Sequence, residues 1–225
     1  MLTNASGIAN GELMNSDRDI PVPSKKRGRP FGSNAKDTRK RLLQAAEKHF
    51  NEKAYSDVSM ATVAKSAGMT GAAIYRHFDS KDHLFEETIK DRMRIYNQTI
   101  NAAVAGKGSW KDKFNKLLEA VTPLHGKSSG FPMIGVIVLS QLQQQPEKFQ
   151  EIRDLREESA SVFRALIIEG VDCGDLPKDT DIAIAGDLLM AITAGAINTV
   201  SFYNSSPDNM VSIIDSVKVL LGTRA

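Results

Sequence analysis

The sequence predicts an all-α chain. Apolar residues recur three and four positions apart through most of its length, as in Leu42, Leu43, Ala46 and Phe50 or Met210, Ile213, Ile214, Val217, Leu220 and Leu221. Ser, Thr or Asp stands where these patterns begin, and Gly or Pro where they end. No stretch alternates apolar and polar residues as a half-buried strand would, and no internal repeat is present.

The most informative stretch is residues 58–84, VSMATVAKSAGMTGAAIYRHFDSKDHL. Ser59 can cap a short helix with Val63 and Ala64 on its inner face. Gly68 ends that helix, because glycine accepts the left-handed backbone such a turn requires. Thr70 caps a second helix with Ile74 and Phe78 turned inward. The outer face of this second helix is small at Gly71, Ala72 and Ala73, then donor-rich at Tyr75, Arg76 and His77. A surface of that kind can lie close against a polyanion. In a helix-turn-helix the start of the second helix reaches base edges in the major groove.

The other elements follow in order. A first helix is expected over about Ala35–Lys53, with Arg39 and Lys40 near its start placed for phosphate. Asp79-Ser80 caps a long helix over about Lys81–Ala105, whose apolar face carries Leu84, Ile89, Met93, Tyr96 and Ile100. Trp110–His125 is the next, broken near Pro123 and Gly126. Phe131–Gln145 is apolar nearly all round, which predicts a central position. Pro146–Val171 starts with proline in its first turn and carries a charged face. After the Gly174-Asp175-Leu176-Pro177 loop, Thr180 or Asp181 caps a helix ending near Tyr203, and Pro207–Leu221 is the last.

Composition narrows the function classes. No apolar run approaches the roughly 18 residues that span a bilayer, and the N-terminus has no signal pattern, so a cytoplasmic protein without a membrane partner is expected. The single cysteine, Cys173, excludes an intrachain disulfide. The net charge of +2 conceals an asymmetry. Residues 24–96 carry 16 Lys+Arg against 9 Asp+Glu, while residues 97–225 carry 12 against 15. Positive charge therefore gathers where the helix-turn-helix lies, the footprint of a DNA-binding head on a body that stays off DNA. His49, His77, His83 and His125 have no metal-binding spacing, and neither a nucleophile elbow nor a glycine-rich phosphate loop occurs. No enzyme, cofactor or metal is expected.

One series of residues spans this whole region. It is Thr38-Arg39, Leu42-Leu43, Ala45-Ala46, Phe50, Tyr55, Ser59-Met60, Val63-Ala64, Ala67-Gly68, Thr70, Ile74-Tyr75, His77-Phe78, Ser80-Lys81 and Leu84. It resembles the DNA-binding domain of TetR-family transcriptional regulators. The resemblance implies an all-helical homodimer with a three-helix DNA-binding head and a larger ligand-binding body. It implies three parts: residues 1–34 as tail and basic arm, 35–82 as the helix-turn-helix domain, and 83–225 as the ligand-binding and dimerisation domain. The chain departs from the family at Ala54, where glycine is usual, and at Gly71 and Ala72, where a longer polar residue and a glycine are usual. Direct base contacts are therefore expected to be few there, leaving more to thymine methyls and DNA shape.

The residues expected at DNA are Ser59, Thr62, Thr70, Gly71, Ala72, Tyr75, Arg76, His77 and Lys81. Arg27 and Arg29 join them from the basic arm, whose Arg27-Gly28-Arg29-Pro30 core resembles an AT-hook. A flexible basic tail with unspecific phosphate attraction is the competing reading of that arm. Candidate linings for an effector site are Met93, Tyr96, Ile100, Phe114, Leu118, Val121, Met133, Ile137, Phe163, Met190 and Asn198, against plain core filling for most of them. The Met and Phe content points to an apolar or amphipathic effector. The last two helices, with Ala183, Gly186, Ala191, Ala194, Gly195 and Ala196 on the first of them, are the expected dimer face. The function expected is a repressor released from a palindromic operator by a small molecule. A nucleoid-type binder with a vestigial pocket, and an enzyme or carrier on the same helical body, are the alternatives.

Overall fold

The computed structural model describes residues 35–121, 149–202 and 207–220, without the side chains of 196–202, 207, 208, 210 and 220, and seven α-helices lie among the described residues. No strand occurs among the described residues. The basic arm with Arg27 and Arg29, the helix expected over Phe131–Gln145 with Met133 and Ile137, and the Asn198 side chain lie outside them.

Helix α1 is Ala35–Glu52, and its buried stripe Leu42, Leu43, Ala46 and Phe50 is the one the spacing predicts. A 3-10 turn over Tyr55–Asp57 leads to α2, Met60–Ser66. Ser59 closes a capping box on α2. The Thr62 amide donates to Ser59 Oγ at 3.2 Å, and the Ser59 amide donates to Thr62 Oγ1 at 3.3 Å. Gly68, at φ +74°, ends it: its amide donates to the Lys65 carbonyl at 3.0 Å, and Met69 reaches back to the Ala64 carbonyl at 2.8 Å. That pair of bonds is a Schellman motif.

The second helix expected from Thr70 is not a regular α-helix. Residues 71–73 form turns, and Ile74–Arg76 is a 3-10 segment. Three-residue bonds run from the Ala73 amide to the Thr70 carbonyl at 2.9 Å and from His77 to Ile74 at 2.9 Å, and the Phe78 amide also reaches the Ile74 carbonyl at 3.1 Å. Gly71 is among the poorest helix formers, and no side chain caps the 3-10 segment, so the short run tightens. Ile74 and Phe78 still face inward, both fully buried.

Helix α3, Lys81–Val104, is capped by Ser80, whose Oγ accepts from the His83 amide at 3.0 Å. Helix α4 is Trp110–Val121. Helix α5 is Gln150–Cys173, and residues 146–148 of the helix expected from Pro146 lie outside the described residues. Phe149 takes the cap position and is buried there. Helix α6, Ile182–Phe202, is capped by Asp181, whose carboxylate accepts from the Ala183 and Ile184 amides at 3.0 and 3.1 Å. Helix α7 is Pro207–Leu220.

Among the described residues the apolar side chains gather into two cores. The N-terminal one gathers Leu42, Phe50, Val63, Ile74, Phe78 and Leu84, and takes in Phe149 and Ile152 from the start of α5. The other gathers Ile100, Phe114, Leu118, Phe163, Leu189 and Ile214. Helix α3 contributes to both.

Candidate nucleic-acid interface

The expected DNA residues that the structure describes lie on α2, the turn after it and the start of the helix that follows. Ser59, Thr62, Thr70, Ala72, Tyr75 and Arg76 are exposed, and Gly71, His77 and Lys81 are half-buried. Tyr75 is 56% exposed although it directly follows the fully buried Ile74. An aromatic ring held out by a buried neighbour is the most conspicuous element of this surface. Gly71 lies over α2: a Cβ placed there would meet Ala61 Cβ at 3.5 Å, an ordinary contact.

Several of these groups already have partners within the chain. The Ser59 and Thr62 hydroxyls lie 2.9 Å apart in the cap of α2. Lys81 Nζ donates to the Tyr55 carbonyl at 2.9 Å and lies 4.4 Å from the Tyr55 ring centre, so it braces the helix-turn-helix from behind. The Tyr55 hydroxyl donates to Asp82, and burial together with that carboxylate pushes the phenol well above its usual range.

Arg39, expected near phosphate, has partners within the chain. Its guanidinium pairs with Glu87 of α3 and lies 4.7 Å from the centre of the Phe78 ring. Glu87 in turn accepts from Lys90 at 3.2 Å. Lys90, only 10% exposed, also meets Glu86 at 2.7 Å and Glu151 of α5 at 2.7 Å. Glu151 is shared with Arg94. Burial alone would lower the Lys90 ammonium, but the three carboxylates outweigh it and raise it above the usual lysine range. Burial works against the Glu87 carboxylate, yet Lys90 and Arg39 hold it below its ordinary value, and Lys90 does the same for Glu151.

The effector candidates divide sharply. Ile100, Phe114, Leu118, Val121 and Phe163 are buried core. Met93 packs on the N-terminal core, while Tyr96 and Met190 pack on the other. A cavity of about 270 Å³ opens elsewhere, at the junction of α4, the end of α5 and the start of α6. Of the expected residues only Phe114 lines it. Trp110, Ile167, Leu176, Ala185, Leu189 and Ile192 form most of the apolar wall, and Lys111 and Asp175 lie at its polar edge, 3.7 Å apart. Trp110 is fixed by its indole N–H, which donates to the Leu166 carbonyl at 2.7 Å. Gly170 makes room for it: a Cβ there would sit 2.7 Å from Trp110 Nε1. The pairing of a lone tryptophan with a glycine in the last turn of α5 is the signal in the sequence that could have located this wall.

On α6, Ile184, Leu188, Ala191 and Gly195 are exposed at positions i, i+4, i+7 and i+11, a single face. Gly186, expected on the dimer face, instead packs on Arg164 of α5 within the chain.

Residues 42–88 match the sequence model of the bacterial regulatory proteins of the tetR family. The chain is similar to the fatty acid metabolism regulator protein of Bacillus subtilis, 20% identical over 181 residues, which cover 80% of this chain and 91% of that one. It is also similar to the uncharacterized HTH-type transcriptional regulator YdgC of Bacillus subtilis, 37% identical over 86 residues, 38% of this chain and 44% of YdgC. Among solved structures, the fatty acid degradation regulator FadR from Bacillus halodurans superposes with a TM-score of 0.70 at 16% identity, over 82% of this chain and 94% of that one. FadR from Bacillus subtilis in complex with stearoyl-CoA does so with a TM-score of 0.65 at 18% identity, over 81% and 96%. Residues 42–88 thus resemble the tetR-family segment, and the chain has the all-helical fold of the solved regulators similar to it.

Proposed function

We propose that the chain is a ligand-responsive transcriptional repressor that binds a palindromic operator as a homodimer and is released by a small apolar or amphipathic effector. The observation that carries this reading is the exposed Tyr75-Arg76 pair, followed by the half-buried His77 and flanked by the fully buried Ile74 and Phe78, on a capped helix-turn-helix. Tyr75 and His77 act on the DNA backbone, and Arg76 on guanine or phosphate. Selection from a pool of random-sequence duplexes tests it: the native chain enriches a twofold-symmetric sequence, and Tyr75→Ala with His77→Ala loses it while the melting temperature holds. No enrichment would remove the reading.

The exposed Ile184–Leu188–Ala191–Gly195 face of α6, together with the exposed Val211 and Val219 of α7, supports the dimer. A twofold pair sets its reading edges about 34–36 Å apart, or a multiple of that. The effector enters the cavity walled by Trp110 and Leu189, with Lys111 at its edge for an anionic head group. The similar FadR was solved with stearoyl-CoA, a ligand of that amphipathic kind, so stearoyl-CoA is the first compound to titrate against the DNA complex. The arm adds a minor-groove contact through Arg27 and Arg29, supported by its Arg-Gly-Arg-Pro sequence alone.

A further inference from the structure

We propose that α5 carries the state of the cavity to the DNA-binding helices through its first turn, which is anchored in the N-terminal core and in the ion cluster around Lys90. This rests on the reading of the chain as a ligand-responsive DNA binder. The continuous helix α3 is the obvious connector, yet it supplies no residue to the cavity wall. Helix α5 supplies Ile167, and the loop directly after it supplies Asp175 and Leu176.

Its other end is fastened twice. Phe149 and Ile152, 4% and 1% exposed, are buried among the residues of the N-terminal core. Between them Glu151 reaches Lys90 and Arg94. From Lys90 the pairing continues through Glu87 to Arg39, which covers Phe78, the buried residue that ends the DNA-facing turn. Twenty-four helical residues span about 36 Å, so one stiff rod joins a ligand-sized space to the base of the reading edge. A shift of Ile167 by an occupant is transmitted along that rod instead of being absorbed by a loop.

The test perturbs the cavity without a ligand. Ala185→Leu fills it and Ile167→Ala enlarges it. Each is made in the native chain, in Glu151→Gln and in Phe149→Ala. The first readout is amide hydrogen exchange of residues 74–90, and the second is affinity for the duplex selected by the native chain. Either cavity variant is expected to change exchange at 74–90 by about fivefold or more in the native background. In the Glu151→Gln background that change falls below about twofold. If Phe149→Ala does not fold, the half-exposed Glu151→Gln decides the matter. An equal change in both backgrounds, or none in the native chain, overturns the proposal. Should the native chain select no duplex, the DNA-binding reading fails, while hydrogen exchange still decides the coupling.

Discussion

Arg39 shows how a basic residue near a DNA-binding motif can serve the protein itself. It lies between Glu87 and the face of Phe78, so its loss should be felt in folding before it is felt at DNA. Arg39→Ala is expected to lower stability by about 1 kcal/mol, a figure kept small because the guanidinium is partly solvated. The exposed Lys40→Ala should leave the denaturation midpoint in place. Urea melts of the two variants check the contrast. Gly170 is the sharper case. A methyl group there collides with the Trp110 indole and Leu176, both under 3 Å away, so Gly170→Ala should cost about 1–3 kcal/mol despite its better helix propensity. A stabilised Gly170→Ala would contradict the packing described.

At the scale of elements, what the sequence displayed depended on how local the cause was. The cap at Ser59, the Gly68 stop and the stripe Leu42–Phe50 are each set within a few residues, and each stands where the spacing places it. The DNA-facing element was legible as a position but not as a conformation. Thr70 promised an α-helix, and Gly71 with its neighbours made turns and a 3-10 segment. The cavity was the least legible. Its wall joins Trp110, Ile167 and Ala185 from three helices, and no periodicity within one helix announces a space between three. Core residues such as Leu118 and Phe163 carry the same apolar signal as lining residues. Gly71→Ala tests the reading edge directly. The extra methyl fits at 3.5 Å from Ala61 Cβ, and alanine favours helix by about 1 kcal/mol. Circular dichroism should show equal or greater helicity, and the selected DNA sequence should change more than the affinity does.

For the whole molecule, charge and assembly give two further outcomes. Glu87 and Glu151 titrate below their ordinary value of 4.5, so the stability they contribute is present above that pH and is lost as pH falls through their lowered values. Glu47, raised by burial, works in the opposite direction. Lys90→Gln should therefore be clearly less stable than the native chain at neutral pH. The gap should narrow below pH about 4.5, as the carboxylates that need the lysine become neutral. Thermal melts across pH 3–7 read this out, and a gap independent of pH would reject the cluster's role. Leu188→Glu places charge on the exposed face of α6, where Leu188 is 59% accessible in the single chain. Sedimentation should find a monomer that keeps its helicity and loses the selected duplex. A dimer that persists would move the interface elsewhere.

Trp110 is the only tryptophan in the chain, and it forms part of the cavity wall with its indole N–H already bonded to a carbonyl. All of the intrinsic indole emission therefore comes from one fixed point beside the space an effector would enter. Its wavelength and quenching give an optical reading of cavity occupancy in the unlabelled protein, with Trp110→Phe as the dark control. An emission titration can thus screen compound collections before any operator sequence is known.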